Sequence, residues 1–121
     1  MTAIEDICLR LEDILEQTSY VLDLVPKISM DEFLVSPIYS AAIARYFEII
    51  GEASKYVPDD IREQYPKISW RQLAGFRDVL IHNYPRIDLE QVWHFAVYKI
   101  PGLHQQIEEI LLDLNEHDAN E

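Results

Sequence analysis

The segment GFRDVLIHNYP, residues 75–85, brings together side chains whose chemistry can act on a phosphate ester. An imidazole titrates near neutral pH and exchanges protons with hydroxyl groups, whereas a guanidinium stays charged and matches phosphate oxygens with its planar fork. Together they suit in-line cleavage of RNA, in which the 2′-hydroxyl attacks its own phosphate and arginine holds the developing charge. The polar residues of the segment are Arg77, Asp78, His82, Asn83 and Tyr84.

On a helix, successive residues are about 100° apart, so Asp78 and His82 share a face and the carboxylate can set the imidazole tautomer. Arg77 and His82 are five residues apart, which is about 140° around the helix and about 7.5 Å along it. One straight helix therefore does not aim both at the same atom. Either the helix unwinds before Pro85, or two copies of the segment meet across a dimer axis. Spacing alone favours a simpler interpretation, an Arg–Asp surface pair and a half-buried histidine that caps the helix.

The elements that position this segment are helices. Apolar residues at steps of three and four predict a helix over residues 2–25, ended by Pro26, and a second from Pro37 to Val57. Ser36 is the predicted N-cap of the second helix, with Pro37 in its first turn. Asp31–Glu32 is interpreted as a helix entrance, and a short helix is predicted at 59–65. A further helix runs from the Ser69–Gln72 capping pattern to the low eighties, and a long segment begins at the Asp88–Gln91 pattern and is interrupted at Pro101.

No segment alternates apolar and polar residues as a half-buried strand does. We therefore predict an all-α protein, an antiparallel bundle of four main helices plus a short helix. The 121 residues fit a single domain, with a frayed tail after about residue 114.

The net charge of −12, from 22 acidic and 10 basic residues, opposes nucleic-acid binding when it is taken as a sum. Its distribution is uneven, because residues 58–86 hold five bases against four acids. Besides Arg77, the bases of this stretch are Arg62, Lys67, Arg71 and Arg86. We expect these four to attract RNA phosphates weakly, although exposed bases are more often simply solvated.

Other classes of site lack the residues that they need. Cys8 is the only cysteine, and the histidines outside the segment are scattered, so no metal site is predicted. The acidic N-terminus does not resemble a signal peptide, and no run of about 20 apolar residues predicts a membrane span. A cytoplasmic protein is expected.

Three segments in order resemble the HepT-like branch of the HEPN superfamily, a group of small helical ribonuclease toxins. They are residues 45–54 (RYFEIIGEAS), residues 66–84 (PKISWRQLAGFRDVLIHNY) and residues 87–93 (IDLEQVW). Within the second, Arg77-x4-His82-x-Tyr84 resembles the family signature. Asp78 supplies the polar residue that usually follows the arginine, and Asn83 fills a variable position.

The resemblance implies a metal-independent endoribonuclease, in which Arg77 and His82 are catalytic and cleavage leaves a 2′,3′-cyclic phosphate. It also implies a homodimer with both motifs in one cleft. The implied partner is a nucleotidyltransferase antitoxin of the MNT type, which uses ATP and Mg²⁺ to transfer AMP to Tyr84 in a type VII-like toxin–antitoxin system. The alternative is a non-catalytic HEPN module that binds nucleotide or partner and regulates the transferase. A purely structural helical dimer would leave the 77–84 cluster unexplained.

Overall fold

The computed structural model describes the backbone of residues 3–82 and 88–120, and the side chains of residues 3–76 and 88–116. All the regular structure within these ranges is helical, so the predicted all-α class is confirmed. The helices are α1 (Ala3–Leu24), α2 (Met30–Val35), α3 (Pro37–Ser54), α4 (Asp59–Gln64), α5 (Trp70–His82), α6 (Leu89–Tyr98) and α7 (Ile100–Asn120). None of the helices in the described ranges is long and apolar enough to cross a bilayer.

The first helix buries one stripe of its surface, at Leu11, Ile14, Thr18 and Val21. These residues recur at steps of three and four, as the sequence predicts for a helix packed against a core. A 3₁₀ turn at Val25–Lys27, with Pro26 in its first positions, follows α1 and changes the direction of the chain.

Helix α2 was foreseen only as a helix entrance at Asp31–Glu32. The structure shows a full capping box, in which the Ser29 side chain accepts from the Glu32 N–H and the Glu32 side chain accepts from the Ser29 N–H. The one buried residue of α2, Phe33, packs against Trp93 of α6 with ring centroids 5.2 Å apart. The cap and this aromatic contact stabilise the short helix, which also packs against α3.

Helix α3 begins as predicted, with Ser36 as the N-cap and Pro37 in the first turn. It ends at Ser54 and not at Val57, because the next three N–H groups bond to carbonyls three residues back, and this pattern tightens the last turn into a 3₁₀ form.

Pro101 interrupts the last predicted segment, as expected. Helix α6 ends at Tyr98 and α7 begins at Ile100, so the proline lies in the first turn of a new helix, where its missing N–H breaks no intrahelical bond. Helix α7 is helical to Asn120, and the expected fraying after Leu114 stays a prediction.

The long helices pack as a bundle: α1 contacts both α3 and α7, and α3 contacts α5. Helices α1 and α3 are antiparallel, because Arg10 lies 3.9 Å over the Tyr56 ring whereas Tyr20, later in α1, meets Tyr46, earlier in α3. A continuous cluster of buried aliphatic and aromatic side chains fills the space between the helices. The bundle therefore holds α5, which carries the candidate catalytic residues, against α3.

Candidate active site

The first turns of α5 are anchored firmly in the core. Trp70 and Leu73 are buried, and the indole Nε1 of Trp70 donates to the carbonyl oxygen of Tyr65 at 3.2 Å. The buried indole is thus hydrogen-bonded as well as packed, which fixes the start of the helix.

Phe76 packs the middle of α5 onto two neighbouring helices. Its ring centroid lies 5.2 Å from that of Phe47 on α3, in an edge-to-face arrangement, and 4.5 Å from that of Phe95 on α6. Phe47 and Phe95 also meet edge to face at 5.6 Å, so the three rings form one cluster. This cluster holds the backbone of α5 one residue before Arg77.

The backbone stays helical from Arg77 to His82, which confirms the predicted helix as far as His82. On this unbroken helix the two residues are about 7.5 Å apart along the axis and about 140° apart around it. Asp78 keeps the four-residue spacing that places it on the same face as His82. The side chains of these three residues, and the whole of Asn83, Tyr84 and Arg86, lie outside the described part of the chain.

The guanidinium of Arg62 binds the end of α3. Its Nε donates to the carbonyl oxygen of Val57 and its Nη2 to that of Ser54, both at 2.8 Å. Ser54 is the last residue of α3 and Val57 lies in the turn that follows it, so the guanidinium also faces the negative pole of the α3 dipole. The sequence suggested a phosphate contact for Arg62, whereas the structure gives the guanidinium a structural contact within the fold.

Lys67 and Arg71 are both exposed, before and after the start of α5. Lys67 lines a surface groove of about 270 Å³, which we name the Lys67–Lys99 groove. Gln72 and Leu73 of α5, Phe95 and Tyr98 of α6, and Lys99 between α6 and α7 also line it. Sequence analysis missed this groove because its walls come from three helices that are separate in the chain.

Tyr65 links the turn before α5 to α7. Its hydroxyl donates to Asp113 Oδ2 at 2.6 Å. Burial, then this hydrogen bond and the negative charges of Asp113 and Glu109, raise the pKa of Tyr65 to about 12. Tyr20 donates in the same way to Glu16 at 2.5 Å, and that bond is the main cause of its raised pKa.

A polar network that sequence analysis also missed joins α1 to α7. Thr18 is fully buried, and its Oγ1 lies 2.8 Å from Nδ1 of His104 and 2.9 Å from the carbonyl oxygen of Leu15. Nε2 of His104 lies 2.8 Å from Oε1 of Glu108. A hydroxyl, an imidazole and a carboxylate in a row suggest a nucleophile, but a fully buried hydroxyl does not meet a substrate, so the network is structural.

Both protonation states of His104 find partners in this network. The neutral ring with a proton on Nε2 donates to Glu108 and accepts at Nδ1 from the Thr18 hydroxyl. The imidazolium donates from both nitrogens, and the hydroxyl then turns to the Leu15 carbonyl. Two signals in the sequence point here: Thr18 is a polar residue within an apolar stripe, and His104 and Glu108 are four residues apart.

No group of three or more histidine, cysteine or carboxylate side chains with metal-site geometry occurs among the residues that the structure describes. Cys8, the lone cysteine, is partly buried against the core.

Comparison with known proteins identifies the family. The model of the family "Ribonuclease HepT-like" matches residues 6–110, most of the chain and the whole of the segment that includes Arg77 and His82. The chain belongs to the HepT-like ribonuclease family.

Its relatives in the family are similar along nearly their whole length. "Putative RNase MJ1216" of Methanocaldococcus jannaschii is 40% identical over 115 residues, which are 95% of each chain. "Putative RNase TTE0752" of Caldanaerobacter subterraneus is 39% identical, over 84% of this chain and 90% of the relative. "Probable ribonuclease HepT" of Thermococcus cleftensis is 37% identical, over 83% of this chain and 91% of the relative. No solved structure matches the chain significantly.

Proposed function

We propose that this HepT-like protein is a metal-independent endoribonuclease that cleaves RNA with Arg77 and His82. One observation carries the proposal: a member of a ribonuclease family keeps both residues on a single helix whose backbone is unbroken between them. The names of the relatives, ribonucleases or RNases, support the same activity.

The chemistry follows from the two side-chain types. His82 accepts the proton of a ribose 2′-hydroxyl, and the 2′-oxygen then attacks the adjacent phosphorus. The bond from phosphorus to the 5′-oxygen breaks, and that oxygen takes a proton from water, giving a 2′,3′-cyclic phosphate and a 5′-hydroxyl. His82 then returns its proton to the solvent. Arg77 balances the charge that develops on the phosphoryl oxygens. Asp78 supports His82 by fixing its tautomer, and Asn83 lies next to the catalytic histidine in the chain.

The unbroken helix favours a cleft formed by two copies of the chain. Because the backbone positions of Arg77 and His82 are about 140° apart around the helix axis, a phosphate that meets both residues is best placed between two α5 helices related by a dimer axis. We therefore propose a homodimer in which a single cleft at the interface uses groups from both protomers. Sedimentation that shows an active monomer at micromolar concentration would contradict it.

The exposed bases Lys67 and Arg71, together with Arg86, extend the proposed RNA contact beyond the cleft. Arg62 contributes less, because two of its N–H groups already bind the carbonyls of Ser54, at the end of α3, and of Val57, in the turn after it. The attraction is salt-sensitive and opposes repulsion from the acidic ends of the chain.

We further propose that the protein is the toxin of a type VII-like toxin–antitoxin pair in the cytoplasm. The antitoxin is a nucleotidyltransferase of the MNT type, which uses ATP and Mg²⁺ to place AMP on Tyr84. The added phosphate brings negative charge two residues from His82, where it competes with the phosphate of RNA.

Cleavage of a labelled single-stranded RNA by the purified protein tests the proposed activity. We expect wild-type cleavage to persist in EDTA, and Arg77→Ala and His82→Ala each to lower the rate at least about 100-fold while circular dichroism stays unchanged. Lys27→Ala, at an exposed residue paired with Asp23, is the control and should cleave normally. A wild-type protein that binds RNA without cleaving it would instead support a non-catalytic module that regulates its partner transferase.

A further inference from the structure

We infer that the Lys67–Lys99 groove binds one nucleotide of the RNA strand, away from the scissile phosphate. The inference rests on the proposed ribonuclease function and adds a second contact with the substrate, built from α5, α6 and α7.

The charge of the groove is opposite to that of the chain. Acidic residues outnumber basic ones by 22 to 10 overall, yet among the described residues both charged side chains that line the groove are lysines. Lys67 comes from the turn before α5, and Lys99 from the junction of α6 and α7. Two ammonium groups beside one groove attract a phosphate more strongly than isolated surface lysines do.

The groove also offers a surface on which a base can stack. Tyr98 is 69% exposed at the groove, and its ring lies 4.6 Å from that of His94, centroid to centroid. Exposed aromatic rings next to cationic groups are the usual combination in proteins that bind single strands, because every base has a stacking face. The side chains of Leu73 and Phe95 supply an apolar floor.

The size of the groove fits one nucleotide. A volume of about 270 Å³ lies just below the range of pockets that hold small ligands. A longer run of bases would have to continue outside the groove, along the surface.

The position of the groove on α5 fits a strand that continues to the catalytic pair. Gln72, at the groove, precedes Arg77 by five residues and His82 by ten, so they lie about 7.5 and 15 Å further along the helix axis. At about 3.4 Å per stacked nucleotide, the axial separation alone spans roughly two to four nucleotides, and the offset around the helix, about 140° to Arg77 and about 80° to His82, lengthens the path further.

The test measures binding of a fluorescent 12-nucleotide RNA to full-length protein that also carries His82→Ala, so that cleavage does not interfere. Tyr98→Ala should weaken binding about fivefold or more, the effect of one lost base stack. Tyr20→Ala is its control, since Tyr20 is also an exposed aromatic but is not a residue of the groove.

Charge is tested with two double variants that each remove two positive charges. Lys67→Gln/Lys99→Gln should weaken binding and reduce the slope of log affinity against log salt by up to about 1.4, or about 0.7 for each phosphate contact. Lys27→Gln/Arg45→Gln changes two exposed, carboxylate-paired bases outside the groove and should leave the slope close to that of the parent.

Equal affinity and equal salt slope for the two double variants would overturn the groove assignment, as would an unchanged affinity of Tyr98→Ala. Binding of AMP as tight as that of the RNA would also overturn it, because the groove would then serve a free nucleotide. The proposed function is judged separately, by cleavage with His82 intact. If the protein with His82 intact cleaves RNA but the groove variants bind RNA as tightly as the parent, only the groove assignment is refuted. If the groove variants weaken RNA binding but the protein with His82 intact does not cleave, only the catalytic proposal is refuted.

Discussion

The buried contact of Thr18 with His104 gives a direct test of how α1 packs on α7. Thr18→Val keeps the shape of the side chain but removes the hydroxyl that lies 2.8 Å from Nδ1 of His104. The imidazole then has no partner for this nitrogen at the interface of the two helices. We expect the variant to fold and to be less stable than wild type.

The size of the effect follows from the burial of the two groups. Leaving a buried polar atom without its hydrogen bond costs about 1–3 kcal/mol. Thr18 is fully buried, whereas the His104 side chain is 21% exposed, so water compensates only in part. We expect a loss of about 2 kcal/mol in the free energy of unfolding, which for a chain of this length lowers Tm by about 8 °C.

Urea denaturation of a double-mutant cycle measures the contact itself. His104→Leu combined with Thr18→Val removes both partners, and the pair should cost less than the sum of the single changes, with a coupling of about 1–2 kcal/mol. Ser19→Ala deletes an exposed hydroxyl of the same helix and should change stability by less than about 0.5 kcal/mol. Single effects that add within about 0.3 kcal/mol would show that the two groups do not interact, and would refute this packing of α1 on α7.

Three further predictions concern other contacts. Arg62→Met should lower the free energy of unfolding by about 2–3 kcal/mol, because the carbonyls of Ser54 and Val57 each lose a charged donor; an unchanged urea midpoint would show that these two hydrogen bonds do not stabilise the fold. Wild type should exceed Tyr65→Phe in free energy of unfolding by a constant amount below pH 10, and this difference should disappear as the pH rises through about 12. The reason is that only the neutral phenol of Tyr65 donates to Asp113, and the phenol keeps its proton up to the raised pKa. An equal difference in the free energy of unfolding at pH 9 and pH 12 would argue against this hydrogen bond. Tyr84→Phe should escape AMP addition by the transferase and remain toxic when the antitoxin is co-expressed, and neutralisation equal to that of wild type would exclude Tyr84 as the control point.

Local signals in the sequence were sufficient for most helix ends. Ser36 and Asp88 each accept a hydrogen bond from an N–H group three residues later, at the predicted N-caps, and Pro101 separates α6 from α7. Such features depend on neighbouring residues, so a single sequence carries them. Helix α2 was recognised only at its entrance, because six residues are too few to show a helical period.

Features that depend on residues distant in the chain could not be predicted. The hydrogen bond between Thr18 and His104 joins residues 86 apart, and the groove between Lys67 and Lys99 exists only once α5, α6 and α7 have packed. The basic residues near the motif looked alike in the sequence, but Arg62 turns to the end of α3 whereas Lys67 lines the groove. Packing decides which of several similar residues reaches which partner, and no local pattern encodes it.

The central claim, that Arg77 and His82 of two chains form one RNA-cleaving cleft, is tested most directly by mixing two inactive variants. Arg77→Ala and His82→Ala are purified separately, combined, exchanged by mild denaturation and refolding, and assayed on labelled RNA in EDTA. A mixed dimer still holds one intact arginine and one intact histidine, on different protomers, so we predict that the mixture regains cleavage that neither variant shows alone. A mixture as inactive as its components, beside a wild-type protein that cleaves after the same treatment, would contradict the shared cleft.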